Sequence, residues 1–315
     1  MTLLYTDPLF QKHDTGKHHP ETARRLSGIV EHLDKAGLTA KCASGSYKPL
    51  TEAQVARVHS AEQIQTVMQM AERGGGSIDN DTPVSSESFR VSLAAAGACV
   101  AAVDAVMNGP QRNALCLVRP PGHHATPTQS MGFCLFNNIA LAANHARTTH
   151  QLSRILIVDW DVHHGNGTQD AFFEDPEVAF LSVHRYGQGF YPGTGAANET
   201  GTGKGDGRIF NEPIRFGTSR KDYLTRFSSV LEKAATLVKP ELVLISAGFD
   251  AHAKDPIGAL GLEVEDFVEM TKRVLVVART HASGRVVSCL EGGYNLEILP
   301  LAVQAHLEEL LADST

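Results

Sequence analysis

No run of apolar residues in this 315-residue sequence approaches the length of about 18 residues that a membrane-spanning helix needs. The start of the chain, residues 1–7, also lacks the basic residues and the long apolar stretch of a secretion signal. From these two absences we expect no membrane partner and a cytoplasmic location.

Positive charge and paired cysteines are also scarce. Lysine and arginine number 28 against 35 aspartates and glutamates, which gives a formal net charge of −7. Strong non-specific binding to nucleic acid needs a basic surface, so we expect no nucleic-acid partner. The five cysteines are odd in number and none has Cys-x-x-Cys spacing, which favours reduced thiols in a reducing compartment.

The sequence has no repeat, low-complexity tract or linker, so we expect one domain over residues 1–315. Apolar runs alternate with helical segments, which predicts an α/β fold with a mostly parallel central sheet and helices on both faces. Strands are predicted near 3–6, 114–118, 154–159, 178–184, 241–247 and 285–290. Helices are predicted near 20–36, 60–72, 86–108, 134–147, 219–238, 263–282 and 297–312. The glycines at 74–76 indicate a flexible loop.

Candidate metal ligands follow the apolar run 155–158. Asp159, Asp161 and His163 alternate with other residues, and a period of two places them on one face. Ligands of open α/β sheets bind just beyond the carboxyl ends of the strands. Carboxylate and imidazole groups side by side suit a divalent metal, zinc above all, and the alternative is a structural Asp-His pair.

A second predicted strand, 241–247, also leads to an acid. Asp250 can supply a third metal ligand and leave the fourth position open for water, which is the pattern of catalytic zinc sites. His252 and Asp255 are competing candidates, with loop capping or solvent exposure as their alternative roles. We favour Asp250 because it lies closest to the end of the strand.

Two further predicted strands end in groups suited to acid–base chemistry. His123 and His124 follow the strand 114–118, and imidazole titrates near neutral pH. Tyr294 follows the strand 285–290 and two glycines, which let the backbone approach a ligand closely. A tyrosine on a glycine-rich turn is the structural alternative for this residue.

Taken in order, these segments resemble the zinc-dependent histone deacetylase family, on the arginase/deacetylase fold. Asn166 and the triplet 248–250 resemble the class II branch and its bacterial histone deacetylase-like amidohydrolases. The resemblance covers residues from about His19 to about Leu299. The motifs are His123-His124, Gly132-Phe133-Cys134, Asp159-x-Asp161-x-His163-His164-Gly165-Asn166-Gly167, Tyr191-Pro192-Gly193-Thr194-Gly195, Gly248-Phe249-Asp250 and Glu291-Gly292-Gly293-Tyr294.

The resemblance implies one zinc ion per chain, held by Asp161, His163 and Asp250, with ferrous iron left open. Such an ion activates water and polarises an acyl oxygen. His124 is expected to act as general base and then as proton donor, with His123 as its electrostatic partner. The expected supporting residues are Asp159, which orients His123, Asn166, which orients His124, and Tyr294, which donates to the oxyanion.

The resemblance also implies a substrate tunnel, a second cation and an internal arginine. A structural potassium ion is expected, and Arg25 matches an arginine that escorts acetate, although a surface arginine is the alternative. The tunnel residues are Phe133, Tyr191, Gly132, Gly293 and Ile257. The potassium residues are Asp159, Asp161, His163, Ser182 and Val183.

The expected activity is removal of an acetyl or other acyl group from an amine, with acyl-lysine or a small acylated amine as the substrate partner. Ile257 occupies the position where polyamine-specific relatives carry glutamate, which ranks acetylpolyamine second. Glu212 has no explanation in the sequence. The remote alternatives are an arginase-like ureohydrolase and a non-catalytic acyl-ligand binding protein, and oligomerisation is left open.

Overall fold

A computed structural model of the protein describes residues 1–187 and 189–313. Eight parallel strands form the central sheet in the order β2-β1-β5-β10-β9-β6-β7-β8, and β3 and β4 form a separate antiparallel pair. This confirms the predicted α/β class. The strands are Leu3–Tyr5 (β1), Ala43–Ser44 (β2), Gly75–Ser77 (β3), Pro83–Ser85 (β4), Asn113–Cys116 (β5), Ile155–Asp159 (β6), Val178–Arg185 (β7), Ile209–Ile214 (β8), Leu242–Ala247 (β9) and Val286–Leu290 (β10).

Nine α-helices surround the sheet in the described part of the chain, and six of them form two packed layers. One layer contains α4 and α5, which contact β5, β6, β9 and β10, and the other contains α1, α7, α8 and α9. The helices are Ala23–Lys35 (α1), Glu52–Val55 (α2), Ala61–Glu72 (α3), Ser88–Asn108 (α4), Asn138–Thr149 (α5), Asn166–Phe172 (α6), Arg220–Val238 (α7), Val264–His281 (α8) and Ile298–Asp313 (α9).

The central strands are buried on both faces, which explains their continuous apolar sequences. Every residue of β5, β6, β9 and β10 is buried. A parallel sheet covered by helices on both sides requires this composition, because neither face of a strand meets water.

Helix α4 combines a long span with an apolar composition, although the sequence has no uninterrupted apolar run of that length. It has 21 residues and a window of mean hydropathy 1.6, so it is long and apolar enough to cross a membrane by those two criteria. However, 67% of that window is buried inside the fold. Gly97 allows α4 to pack directly against the backbone at Lys48, because a Cβ at this position would be 2.1 Å from the Lys48 carbonyl oxygen.

The predictions missed the strands β2, β3, β4 and β8 and the short helices α2 and α6. The glycine run is not a flexible loop, since Gly75–Ser77 forms β3 and pairs with β4. Strand β8 was not predicted because Glu212 and Pro213 interrupt its apolar pattern; it lies at the edge of the sheet, where proline is tolerated. The structure also explains Glu212, whose carboxylate accepts a hydrogen bond of 2.6 Å from Nε of Arg226 on α7.

The strand order brings the site residues together. Strands β5, β10, β9, β6 and β7 are consecutive neighbours and all run in the same direction. The segments that follow them therefore meet at one edge of the sheet. These are the segments with the tandem histidines, Tyr294 and the candidate metal ligands.

Candidate active site

Asp161, His163 and Asp250 form a buried cluster at the carboxyl edge of the sheet. Their potential ligand atoms all lie within 4.8 Å of one another. Nδ1 of His163 is 3.1 Å from Oδ1 of Asp161 and 3.2 Å from Oδ2 of Asp250. Two carboxylates and one imidazole converging in this way form a donor set suited to zinc.

The electrostatics of the cluster also favour a cation. Burial and the neighbouring charge of Asp161 raise the pKa of Asp250 to about 7. Burial opposes protonation of His163, but hydrogen bonds and charges from Asp161 and Asp250 raise its pKa to about 9. Two buried carboxylates repel each other, and a divalent cation between them removes that cost.

The hydrogen bonds of the two carboxylates indicate which oxygen is available to bind a metal ion. Oδ1 of Asp250 accepts a hydrogen bond from the backbone N–H of Val162, whereas its buried Oδ2 accepts none from the backbone and faces Nδ1 of His163 at 3.2 Å. Oδ2 of Asp161 accepts from the N–H of Gly292. A Cβ at Gly292 would lie 2.2 Å from Oδ2 of Asp250, so glycine is needed beside the carboxylates. The residues therefore fit a bound metal ion.

The two competing ligand candidates have other roles. Oδ1 of Asp255 accepts hydrogen bonds from the N–H groups of Ile257 and Gly258, and Oδ2 accepts from the N–H of Tyr294. His252 accepts from the N–H of Lys254 and faces Glu263 at 3.2 Å. Asp255 thus holds the loop that carries Ile257 against the backbone of Tyr294.

The tandem histidines have different partners. Nδ1 of His123 is 2.9 Å from Oδ2 of Asp159, and Nδ1 of His124 is 2.7 Å from the amide oxygen Oδ1 of Asn166. Their ring centroids are 4.0 Å apart, and the His124 ring lies 5.7 Å from that of His163. Both rings therefore face the metal cluster, each oriented by the residue expected from the sequence.

These partners separate the pKa values of the two imidazoles. Burial lowers the pKa of His123, but the carboxylates of Asp159, Asp161 and Glu291 outweigh it and raise the pKa to about 10. Burial also lowers the pKa of His124, and the neighbouring positive charges of His123 and His163 hold it well below its usual value. A cationic His123 thus lies beside a neutral His124.

Tyr294 is held above a buried arginine. The guanidinium of Arg25 lies 4.9 Å from the centroid of the Tyr294 ring and donates to the carbonyl oxygens of Gly293 and Glu291. Arg25 is buried, so the surface alternative for this residue is wrong. Burial raises the pKa of the Tyr294 hydroxyl well above its usual value, so the group keeps its proton.

Sequence reasoning missed the acid that fixes Arg25. The carboxylate of Glu21 accepts from Arg25 at 3.0 Å and from Arg119 at 2.6 and 2.7 Å. Burial opposes ionisation of Glu21, but the two guanidinium groups hold its pKa well below the usual range. The spacing of four residues between Glu21 and Arg25 was an available signal, although Glu21 itself precedes α1. The contact with Arg119 is long-range and left no such pattern.

Glu291 is a second acid whose role was not predicted. Its carboxylate accepts from the N–H groups of Gly122 and His123 and from the hydroxyl of Ser246. Burial raises its pKa to about 7. These contacts join the loop of the tandem histidines to β9 and to the end of β10. They therefore fix the position of this loop relative to the sheet.

Aromatic rings surround the approach to the cluster. The Phe133 ring lies 5.8 Å from Tyr294, and the Tyr191 ring lies 5.0 Å from His124, both edge to face. A Cβ at Gly132 would be 2.6 Å from the His124 ring and 2.7 Å from the Tyr191 hydroxyl, so this glycine keeps the space open. Phe190, which was not predicted, stacks on His163 with centroids 5.1 Å apart.

Gly293 and the expected potassium residues lie close to this cluster. Gly293 has φ +118°, and a Cβ there would collide with Leu299, so glycine is needed for the turn below Tyr294. Ser182 pairs in register with Asp159, and Val183 is the next residue of β7. The Ser182 hydroxyl is hydrogen-bonded to His184 at 2.9 Å. Binding of potassium stays a prediction.

Removal of one carboxylate should abolish metal retention. We expect Asp250→Ala to lose its metal after dialysis, because only two of the three protein ligands remain. His252→Asn is the control and should retain about one metal ion per chain. Elemental analysis of the purified proteins measures the difference. Full retention by Asp250→Ala would contradict the ligand assignment.

Comparison with known proteins identifies the family to which this chain belongs. Residues 19–310 match the histone deacetylase domain family. A histone deacetylase-like amidohydrolase of Pseudomonas aeruginosa is 38% identical over 92% of this chain and 76% of the relative. The polyamine deacetylase HDAC10 of Danio rerio is 37% identical over 99% of this chain and 46% of the relative. The crystal structure of the HDA15 HD domain has a TM-score of 0.93 at 34% identity, over 99% of this chain and 88% of that chain. The chain therefore belongs to the histone deacetylase family and is a hydrolase that acts on acetylated amides.

Proposed function

We propose that the protein removes an acetyl or other acyl group from the amine of an acyl-lysine side chain or a small acylated amine, and that it uses zinc. The observation that carries the proposal is the convergence of Asp161, His163 and Asp250 with two histidines, one of which faces a carboxylate and the other an amide oxygen. When bound, the metal supplies Lewis acidity to water and to the acyl oxygen.

His124 is proposed to be the general base. The amide oxygen of Asn166 accepts a hydrogen bond, so Nδ1 of His124 carries the ring proton and Nε2 offers its lone pair. Its low pKa keeps the imidazole neutral and able to take a proton from water. The same nitrogen then returns the proton to the leaving amine.

His123 and Tyr294 are proposed to stabilise negative charge. The pKa of about 10 keeps His123 cationic near neutral pH, and Asp159 fixes its orientation. Tyr294 keeps its hydroxyl proton and can donate it in a hydrogen bond to the oxygen that becomes negative. The ring of Tyr294 is supported from below by Arg25.

The walls formed by Phe133 and Tyr191 support a substrate with an extended alkyl chain. Flat aromatic surfaces favour contact with the methylene groups that precede the amide. Ile257 lies on the loop that Asp255 ties to Tyr294 and gives this loop an apolar side chain. We therefore rank acyl-lysine above acetylpolyamine.

Acetylpolyamine is the second candidate, and a specific observation favours it. Burial and the neighbouring charge of Asp79 raise the pKa of Asp81, so the two carboxylates lie close to each other. The Asp81 carbonyl contacts His19, whose ring packs edge to face on Phe133 at 4.6 Å. Carboxylates beside one tunnel wall attract a cationic chain.

Tyr294→Phe tests the reaction itself. The variant keeps the ring above Arg25 and removes the oxyanion donor, so kcat should fall by roughly 10²–10³ with little change in KM. The assay uses acetyl-lysine peptides, acetylpolyamines and small acylamides. Metal content is the control and should not change. No activity of the zinc-loaded wild-type protein on any of these amides would overturn the proposal, and an unchanged kcat would remove Tyr294 from it.

Asn166→Asp tests the assignment of the base. A carboxylate at 2.7 Å from the ring nitrogen raises the pKa of His124. A base is active in its neutral form, so the acid limb of the profile of kcat/KM against pH should move to higher pH. Asn166→Ala, which removes the contact without adding charge, should lower the rate without this upward movement. An unmoved acid limb in Asn166→Asp would show that His124 does not control it.

Ile257→Glu tests the ranking of the substrates. A carboxylate on this loop should raise kcat/KM for acetylpolyamine relative to acetyl-lysine peptide by about tenfold, which corresponds to about 1.4 kcal/mol. Ile257→Gln is the control, since it is polar and similar in size but uncharged. If the wild-type protein already prefers acetylpolyamine by a wide margin, the ranking is wrong and Asp79 and Asp81 become the candidates for cation recognition.

A further inference from the structure

A second group of metal-ligating side chains lies between α4 and α5. Nε2 of His145 and Nε2 of His150 each lie 2.7 Å from the same oxygen, Oδ1 of Asp104. The three ligand atoms lie within 4.8 Å of one another. His145 is near the end of α5 and His150 is the residue that caps it.

This cluster is at the opposite edge of the sheet from the active site. Asp104 lies in the last part of α4, shortly before β5 begins, and His150 lies shortly before β6 begins. Both helices therefore end near the amino-terminal ends of the strands, whereas the active site follows the carboxyl ends. Its groups are not needed for the proposed reaction.

We propose that Asp104, His145 and His150 bind a zinc-class divalent transition-metal ion. Two imidazoles and one carboxylate are ligands that zinc accepts with a water molecule in the fourth position. A hydrogen bond of 2.7 Å must open to about 3.3 Å, the ligand separation of a tetrahedral zinc site. Small rotations of side chains at the ends of two helices provide such a change.

The surroundings of His145 suit metal binding. Its Nδ1 lies 3.3 Å from the hydroxyl of Thr149, which can accept a hydrogen bond from this nitrogen. A proton on Nδ1 leaves the lone pair of Nε2 free for a metal. Histidine ligands in metal sites regularly donate from their other ring nitrogen in this way.

Exposure allows an ion to enter from solvent. The side chain of Asp104 is 47% exposed, whereas those of His145 and His150 are 14% and 11% exposed. Asp104 and His145 also line a surface groove of about 950 Å³. The carboxylate can therefore meet a hydrated ion first, and the two covered imidazoles hold it in place.

Binding should tie α4 to the end of α5, because Asp104 belongs to α4, His145 belongs to α5 and His150 caps α5. A ligand that binds only the folded state stabilises it in proportion to the logarithm of its concentration. Added zinc should therefore raise Tm, and loss of any one of the three ligands should remove that rise.

The experiment titrates zinc chloride into the metal-loaded enzyme by calorimetry, so that the catalytic site is already filled. We expect one additional site in the wild-type protein. His150→Gln and Asp104→Asn should weaken it at least tenfold and abolish the zinc-dependent rise in Tm. His281→Gln, a histidine at the end of α8, is the matched control and should bind like the wild type. Deacetylase activity should be unchanged in all three variants, which also shows that they fold.

Equal zinc binding by the wild type and by both ligand variants would overturn the proposal. A second measurement needs no variant. Zinc should protect His145 and His150 of the wild-type enzyme from diethyl pyrocarbonate, read out by peptide mass spectrometry. Equal modification of these two histidines with and without zinc would also overturn it, and would leave the cluster as two imidazoles hydrogen-bonded to one carboxylate.

Discussion

Burial of Asp161 and Asp250 side by side is the constraint on which the site depends. Two carboxylates without solvent are costly unless a cation or hydrogen-bond donors compensate them. The fold supplies backbone donors from Val162, His163 and Gly292, and Oδ2 of Asp250 faces Nδ1 of His163 at 3.2 Å without a backbone donor. A divalent cation between the two carboxylates would supply further compensation, and this is the physical argument for the proposed metal site.

A second buried charge network holds the other side of the site. Glu21 joins Arg25 and Arg119, and Arg119 also donates to the carbonyl oxygens of Phe10 and His13. The network connects the amino-terminal segment to the residues that follow β5 and, through Arg25, to the turn below Tyr294. The position of the tyrosine ring thus depends on residues almost 270 positions earlier in the chain, so a change in Glu21 reaches the active site through two arginines.

The features of the fold and the site that could be predicted are those that depend on residues close together in the sequence. Buried strands of a parallel sheet carry a continuous apolar signal, and the polar residues after them mark the edge where ligands bind. Strand β8 escaped because Pro213 and Glu212 break that signal at a sheet edge. Glu21 with Arg119, Phe190 on His163, and Asp104 with two histidines are contacts between distant segments, which a single sequence does not encode in its periodicity.

His123 and His124 show how different surroundings give two identical side chains different acid–base properties. His123 and His124 are neighbours in sequence, and their rings are 4.0 Å apart. One faces the carboxylate of Asp159 and the other faces the amide of Asn166. Burial lowers the pKa of both rings, but nearby carboxylates, Asp159 first among them, outweigh it only at His123. Each imidazole then reinforces the other, because a cationic His123 makes protonation of His124 harder. The proposed division into an electrostatic residue and a base therefore rests on the surroundings of the two histidines, because the residues themselves are identical.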